Sequence, residues 1–209
     1  MDVENHPYVR SLLETGKFTS SYPYSDEFVS EDRKSYSLTP GILMGKDKIT
    51  PSPMALATKQ EIVDETTYSE LYVIYELGPK ICGHKNIIHG GLLATLLDES
   101  LCRCGFAVLP NKVGVTASLN ISYLAPTPAN SLVVLKAHTT KVEGRKVWVE
   151  GATFLLPRAE DYNPNDELVK TVKAELLAVE PRWASKLTER ATPTGQIKPN
   201  PQTNQQAEA

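Results

Sequence analysis

The apolar positions of this chain change period along its length. From Ile87 to Val108 the run IIHGGLLATLLDESLCRCGFAV is apolar on nearly every side and spans about five helical turns. A helix apolar on most sides is a buried helix. On either side of it the pattern shortens to that of strands. LYVIYELGP, ending at Gly78–Pro79, is rich in β-branched and aromatic residues and reads as a strand closed by a turn. A loop, KICGHKNII, leads into the helix, and Leu109–Pro110–Asn111 ends it. Strands follow over 113–124, 131–142, 145–156 and 168–179, with turns at Pro126/Pro128, at Glu143–Gly144 and over the polar stretch 157–166. In the first of these, Val113, Val115, Ala117, Leu119, Ile121 and Tyr123 alternate onto one face, which puts Thr116 on the other.

The pattern is weaker near the N-terminus. Residues 5–16 suit a short helix with Val9, Leu12 and Leu13 on one face. Residues 17–40 read as a polar and aromatic arm over a body. Residues 38–49 suit a strand broken at Pro40–Gly41, and 54–68 suit irregular chain or a short helical piece. Past Pro181 the apolar period is lost, and Thr192–Ala209, rich in Pro, Thr, Gln and Asn, reads as disordered tail. The expected division is an arm over 1–65, one α+β domain over 66–180 and a tail over 181–209. One long helix with mainly antiparallel strands is accommodated if the sheet curls around the helix.

Composition narrows the partners. Twenty-two basic and 25 acidic residues give a net charge of −3, which favours neither nucleic acid nor an anionic membrane. No apolar run is uninterrupted for the roughly 18 residues of a membrane span. The first residues, MDVENHPYVRSLLE, hold no secretory apolar core and carry acids that a mitochondrial presequence avoids. The cytoplasm is therefore expected, or the mitochondrion if a presequence has been removed. Three cysteines, Cys82, Cys102 and Cys104, fit a reducing compartment. Cys82, His84 and His89 match no standard zinc spacing, so neither metal nor cofactor is expected.

The chemistry centres on Asp98, whose carboxylate interrupts the apolar helix next to Glu99. At about 100° per residue, Gly91, Ala94, Cys102 and Gly105 fall within about 40° of it. A stripe of small residues leaves space beside the carboxylate for a ligand or a second chain. A core aspartate satisfied by local hydrogen bonds, or an interface ion pair, would explain the same pattern. Gly90 and Gly91 open the helix, where first-turn N–H groups lack intrahelical partners and can hold an anion.

HGGLLATLLDE, then VGVTASLNISYLAPTP, then KVEGRKVWVEGATF resemble, in that order, the hotdog-fold acyl-CoA thioesterases, most closely the PaaI-type branch with the mammalian thioesterase-superfamily proteins. The resemblance covers Leu71 to Val179. It implies a long central helix wrapped by a curved antiparallel sheet. It also implies a homodimer joined sheet edge to sheet edge, often paired again into a dimer of dimers, with active sites built from both chains. The implied substrate is an acyl-CoA, hydrolysed to acid and CoA. Asp98 matches the family's catalytic acid, as general base or as nucleophile. Gly90 matches the oxyanion donor, with Gly91 beside it. His89 is the motif histidine that shapes the loop or contacts the thioester, and Thr116 matches the hydroxyl that orients water. Asn86 and His84 lie near the thioester-contacting offset of some relatives. Lys141, Arg145 and Lys146 match a basic hairpin suited to the CoA phosphates. An acyl-carrier-protein thioester as substrate, or a non-catalytic acyl-CoA-binding role, are the alternatives.

Overall fold

The computed structural model describes residues 3–60 and 69–184. The long helix, α3, runs Gly90–Phe106. His89 caps it with an extended backbone, its Nδ1 accepting the Gly91 N–H at 2.9 Å. Leu92, Leu93, Leu96, Leu97 and Leu101 are buried along it, together with Ser100, Cys102 and Cys104. They pack on one face of a seven-stranded sheet.

In chain order the elements before α3 are α1 (Pro7–Glu14), β1 (Phe18–Ser21), α2 (Glu31–Ser35), β2 (Met54–Thr58), β3 (Glu70–Leu77), β4 (Cys82–His84) and β5 (Ile87–Ile88). After it come β6 (Val115–Tyr123), β7 (Ser131–Glu143), β8 (Lys146–Leu156) and β9 (Lys170–Val179). The sheet order is β1-β2-β3-β7-β8-β9-β6, antiparallel throughout, while β4 and β5 form a separate small ribbon in the loop before α3. Alternate residues of β7, β8 and β9 (Val133, Leu135, Val147, Val149, Val172, Leu176) face α3 and close the core. The helix comes near the sheet where Gly151 lies: a Cβ there would meet Leu101 Cδ1 at 2.6 Å and the Lys136 carbonyl oxygen at 2.9 Å. Together these elements form a hotdog fold, a long helix against a large antiparallel sheet.

The N-terminal segment is built into this body. β1 and β2 extend the sheet beyond β3. α1 covers the sheet's other face, where Tyr8, Val9, Phe18, Leu56, Ile74, Leu132 and Val134 make a second core. His6 is buried and joins two parts of it, its Nδ1 accepting the Tyr8 N–H and its Nε2 donating to the Pro157 carbonyl.

Two expectations for this region are corrected. Residues 38–49 form no strand: Thr39–Leu43 is a single π-helical turn, followed only by isolated bridges at Met44 and Ile49. Pro40 and Gly41 suit that turn, since Pro lacks the N–H a strand would use. Conversely Met54–Thr58, expected as irregular or helical, is strand β2, with Met54, Ala55 and Leu56 buried. The expected boundary near residue 65 and the expected disordered stretch Thr192–Ala209 lie outside the described residues.

Candidate active site

β6 is one of the sheet's two edge strands and, among the described residues, pairs only with β9. Its simple alternation fails at one point. Thr116 pairs with Ala178 and Ser118 with Leu177, leaving Ala117 as a bulge. A bulge shifts the parity of everything beyond it. Thr116 therefore shares the helix-facing side with Leu119, Ile121 and Tyr123, whose partners Leu176, Ala174 and Val172 are core residues. The sequence pattern put Thr116 on the opposite face, and the bulge is the reason it is not.

Turned inward, the Thr116 hydroxyl donates to Asp98 Oδ1 at 2.8 Å. Cys102 Sγ lies 3.0 Å from Thr116 Oγ1. With the threonine proton committed to Asp98, the thiol is the donor of that second bond. Burial raises the Cys102 pKa above its ordinary value, which favours the protonated donor. The order is thus thiol to hydroxyl to carboxylate, and it ends on one oxygen of Asp98. The small-residue stripe beside Asp98 is open at one end only. Gly91 is exposed, whereas Gly105 is buried against Val147 and Val149 of β8.

A second group forms at the start of α3. Because the Gly91 N–H is taken by His89 Nδ1, Gly90 is the glycine whose first-turn N–H has no intrahelical acceptor. His89 accepts at Nδ1, so its ring proton is on Nε2. Tyr123, more than half exposed, lays its ring against Gly90 and donates its hydroxyl to the Gly90 carbonyl at 2.9 Å. Asn86 sits in the preceding β4–β5 turn with φ of 61°, and its carbonyl accepts the Ala129 N–H. His84 is exposed on β4. Sequence reasoning assigned no role to the Tyr123 side chain; the alternation places it with Leu119 and Ile121, and its hydroxyl bond to the Gly90 carbonyl is seen only in the fold.

These two groups are not adjacent within one chain. Eight residues of helix separate Gly90 from Asp98, about 12 Å along the axis at 1.5 Å per residue. The basic hairpin lies at the Thr116 end of the sheet: Lys146 pairs with Val179, which pairs with Val115. Its cations are engaged with neighbours, Lys146 through its charge near Glu143. Lys141 ion-pairs with Glu143 at 3.0 Å and lies over the Trp148 ring, and Arg145 donates to the Glu180 carbonyl at 2.8 Å.

Glu99 points away from Asp98 and holds the N-terminal segment. Its carboxylate accepts the Tyr24 hydroxyl and the Thr39 hydroxyl, each at 2.7 Å, and Arg103 lies over the Tyr24 ring. Burial, first of all, raises the Tyr24 phenol far above its ordinary range and keeps it a donor. The segment so held and α3 flank an open cleft of about 700 Å³ with Asp98 on its wall, beside Arg33, Glu99 and Arg103. Among the described residues no cluster of three or more His, Cys, Asp or Glu is arranged to hold a metal ion, and no helix is long and apolar enough to cross a membrane.

The signature of the family described as "Thioesterase superfamily" matches residues 85–154, a range that holds Gly90, Asp98, Thr116 and the basic hairpin. The chain is 32% identical over 173 residues to "MIOREX complex component 3" of Saccharomyces cerevisiae, covering 75% of this chain and 62% of that one. It is 36% identical over 162 residues to an "Uncharacterized protein, mitochondrial" of Candida albicans, covering 78% and 67%. It is 30% identical over 137 residues to "Acyl-coenzyme A thioesterase THEM4" of Bos taurus, covering 62% and 55%. The chain thus spans between about half and two thirds of these relatives' own lengths. With its helix–sheet architecture and these matches, the chain belongs to the thioesterase superfamily of hotdog proteins.

Proposed function

We propose that the chain hydrolyses acyl-CoA thioesters to a carboxylic acid and free CoA, at sites shared by two copies of the molecule. The observation that carries this reading is the Thr116 hydroxyl donated to Asp98 Oδ1 at 2.8 Å beside the free edge of β6. That bond fixes the carboxylate and leaves Oδ2 to take a proton from water. The water oxygen bonds to the thioester carbonyl carbon, and the carbonyl electron pair moves onto oxygen. The Gly90 N–H at the positive end of α3 stabilises that oxyanion. Collapse breaks the C–S bond, and the departing thiolate takes the proton from Asp98. If Asp98 is instead the nucleophile, its carboxylate oxygen bonds to the carbonyl carbon, the C–S bond breaks with release of the CoA thiolate, and water opens the resulting mixed anhydride to the acid and the free Asp98 carboxylate, its released proton going to the thiolate.

Two copies are needed because about 12 Å of helix separates Gly90 from Asp98 in one chain. A single carbonyl cannot meet both within hydrogen-bonding reach. An unpaired nine-residue edge strand, β6, supports joining to the same strand of a second copy across a two-fold axis. Such a pairing brings Asp98 of one copy towards Gly90 of the other. Lys146, with Lys141 and Arg145 behind it, then offers positive charge to the CoA phosphates. His89 shapes the loop at the oxyanion donor, and Gly91 and Asn86 border the thioester. The Candida albicans relative is named as mitochondrial, and we extend that compartment to this chain in place of the cytoplasm.

Release of free thiol from an acyl-CoA panel tests the activity. Turnover by the native chain, lost in Asp98→Ala and Asp98→Asn, is expected; native rates in both variants would end the assignment. Single turnover in heavy-oxygen water separates the two roles of Asp98. Label enters the released acid directly if Asp98 is the base, and the aspartate carboxyl if it is the nucleophile.

A further inference from the structure

The side of the sheet away from α3 carries two ammonium groups with no acid to pair with. On β7, Val133 and Leu135 face α3, so Lys136 falls on the opposite side with Val134, next to the second core. Its Nζ lies 5.4 Å from the Tyr8 ring centre and 4.6 Å from that of Phe154, and Lys170 Nζ lies 5.5 Å from the same Phe154 ring. Among the described residues, no carboxylate comes within 4 Å of either ammonium. Lys136 is half-buried. Burial first, and the Lys170 charge second, hold its pKa below the ordinary lysine value. A cation partly withdrawn from water beside a like charge is unfavourable, and a bound anion offsets both effects.

The two lysines line a cleft of about 590 Å³, within the ~300–1,000 Å³ of small-molecule sites. Tyr8, Phe154, Tyr162 and Leu168 give it aromatic and apolar surface. Its walls are fixed in advance. Tyr162 packs edge-on against His6 and Tyr8, and His6 Nε2 donates to the Pro157 carbonyl, which ties the chain before β9 to α1. Asp166 and Glu167 also border the cleft. Both are exposed, and Asp166 accepts the Asn163 side-chain amide at 3.0 Å. Water and salt screen these two acids, whereas Lys136 is half withdrawn from solvent, so the lysines set the sign of the ligand.

We propose that this cleft is a second ligand site that takes a small organic anion, with its carboxylate or phosphate head between Lys136 and Lys170 and its flat apolar body against Tyr8, Phe154 and Tyr162. The site lies across the sheet from Asp98 and stands or falls independently of the thioesterase reading.

Calorimetry on the full chain tests it with 3-phenylpropionate, phenyl phosphate, inorganic phosphate and 3-phenylpropanol. The first two distinguish a carboxylate head from a phosphate head; the last two carry the head or the body alone. At least one of the first two is expected to bind roughly tenfold more tightly than either partial probe, with an affinity that falls as salt is raised. Lys136→Gln weakens that binding about tenfold and Lys170→Gln about threefold. Lys170 is exposed, so its variant keeps the test open if Lys136→Gln does not fold. Amide NMR of the native chain with the bound probe shows shifts around Lys136, Phe154 and Lys170. The proposal is overturned if neither organic anion binds, if inorganic phosphate or the alcohol binds as tightly, if the folded lysine variants keep native affinity, or if the shifts are confined to α3.

Discussion

Thr116 on the edge strand donates its hydroxyl proton to Asp98 in the middle of the central helix, 2.8 Å away. The bond exists because the Ala117 bulge turns Thr116 towards α3. A hydrogen bond to a charged group contributes about 1.5–3 kcal/mol. Thr116→Val, which keeps the shape and removes the donor, therefore lowers kcat by about 10- to 100-fold. Thr116→Ser restores most of it. Steady-state rates on one acyl-CoA check both, and a Val variant at the native rate would remove Thr116 from the site.

Gly90 is the first residue of α3, where Pro suits the backbone and removes the N–H; a Cβ there meets the exposed Tyr123 ring at 3.2 Å, and that ring must give by a few tenths of an ångström. The preceding residue, His89, is already extended at φ −64° and ψ 127°, as a residue before Pro prefers. Gly90→Pro thus deletes the proposed oxyanion donor with little change to the helix. The expected loss in kcat is about 10²–10³-fold. A melting temperature close to native, with that loss, is the combined outcome to look for.

Stability has an alkaline limit set by buried acids. Burial pushes the Cys104 thiol from 9.0 up to about 12, and the Tyr72 phenol from 10.0 to about 12. In the unfolded chain the thiol loses its proton near its ordinary value, while in the folded chain it keeps it. The unfolded state then binds fewer protons, so stability falls as pH rises between about 9 and 12. The slope from Cys104 alone is about 1.4 kcal/mol per pH unit. Denaturant unfolding at increasing pH checks it, and Cys104→Ala makes the slope shallower.

Gly151 lies where β8 passes under the helix. An added Cβ meets Leu101 at 2.6 Å and a backbone carbonyl at 2.9 Å, both too close. Gly151→Ala costs about 1–3 kcal/mol by overpacking, read as a lower denaturation midpoint with an unchanged slope.

The helix, β3 and the four strands after the helix were legible because each carries a strong apolar period over many residues. The placement of Asp98 in the middle of the helix and of His89 and Gly90 at its start was legible from the same run. What the pattern missed depends on contacts distant in sequence. The Ala117 bulge is one inserted residue, invisible to an alternation that continues through it. β1 and β2 are short, four and five residues, and are held by pairing with β3 rather than by their own pattern. Glu99 reads as an ordinary helix charge until Tyr24 and Thr39, 75 and 60 residues away, are seen to donate to it. The hairpin cations Lys141 and Arg145 were named from position, and their engagement by Glu143 and the Glu180 carbonyl follows from the turn that Gly144, at φ 58°, permits.

The most direct measurement mixes two inactive variants. Asp98→Asn lacks the acid, and Gly90→Pro lacks the oxyanion donor. If each site takes its acid from one copy and its donor from the other, random exchange of subunits rebuilds about a quarter of native activity, because half the dimers are mixed and one of their two sites is whole. The account predicts that recovery after the two proteins are unfolded and refolded together. Activity no higher than that of either variant alone would mean that both groups act within one chain, and would contradict it.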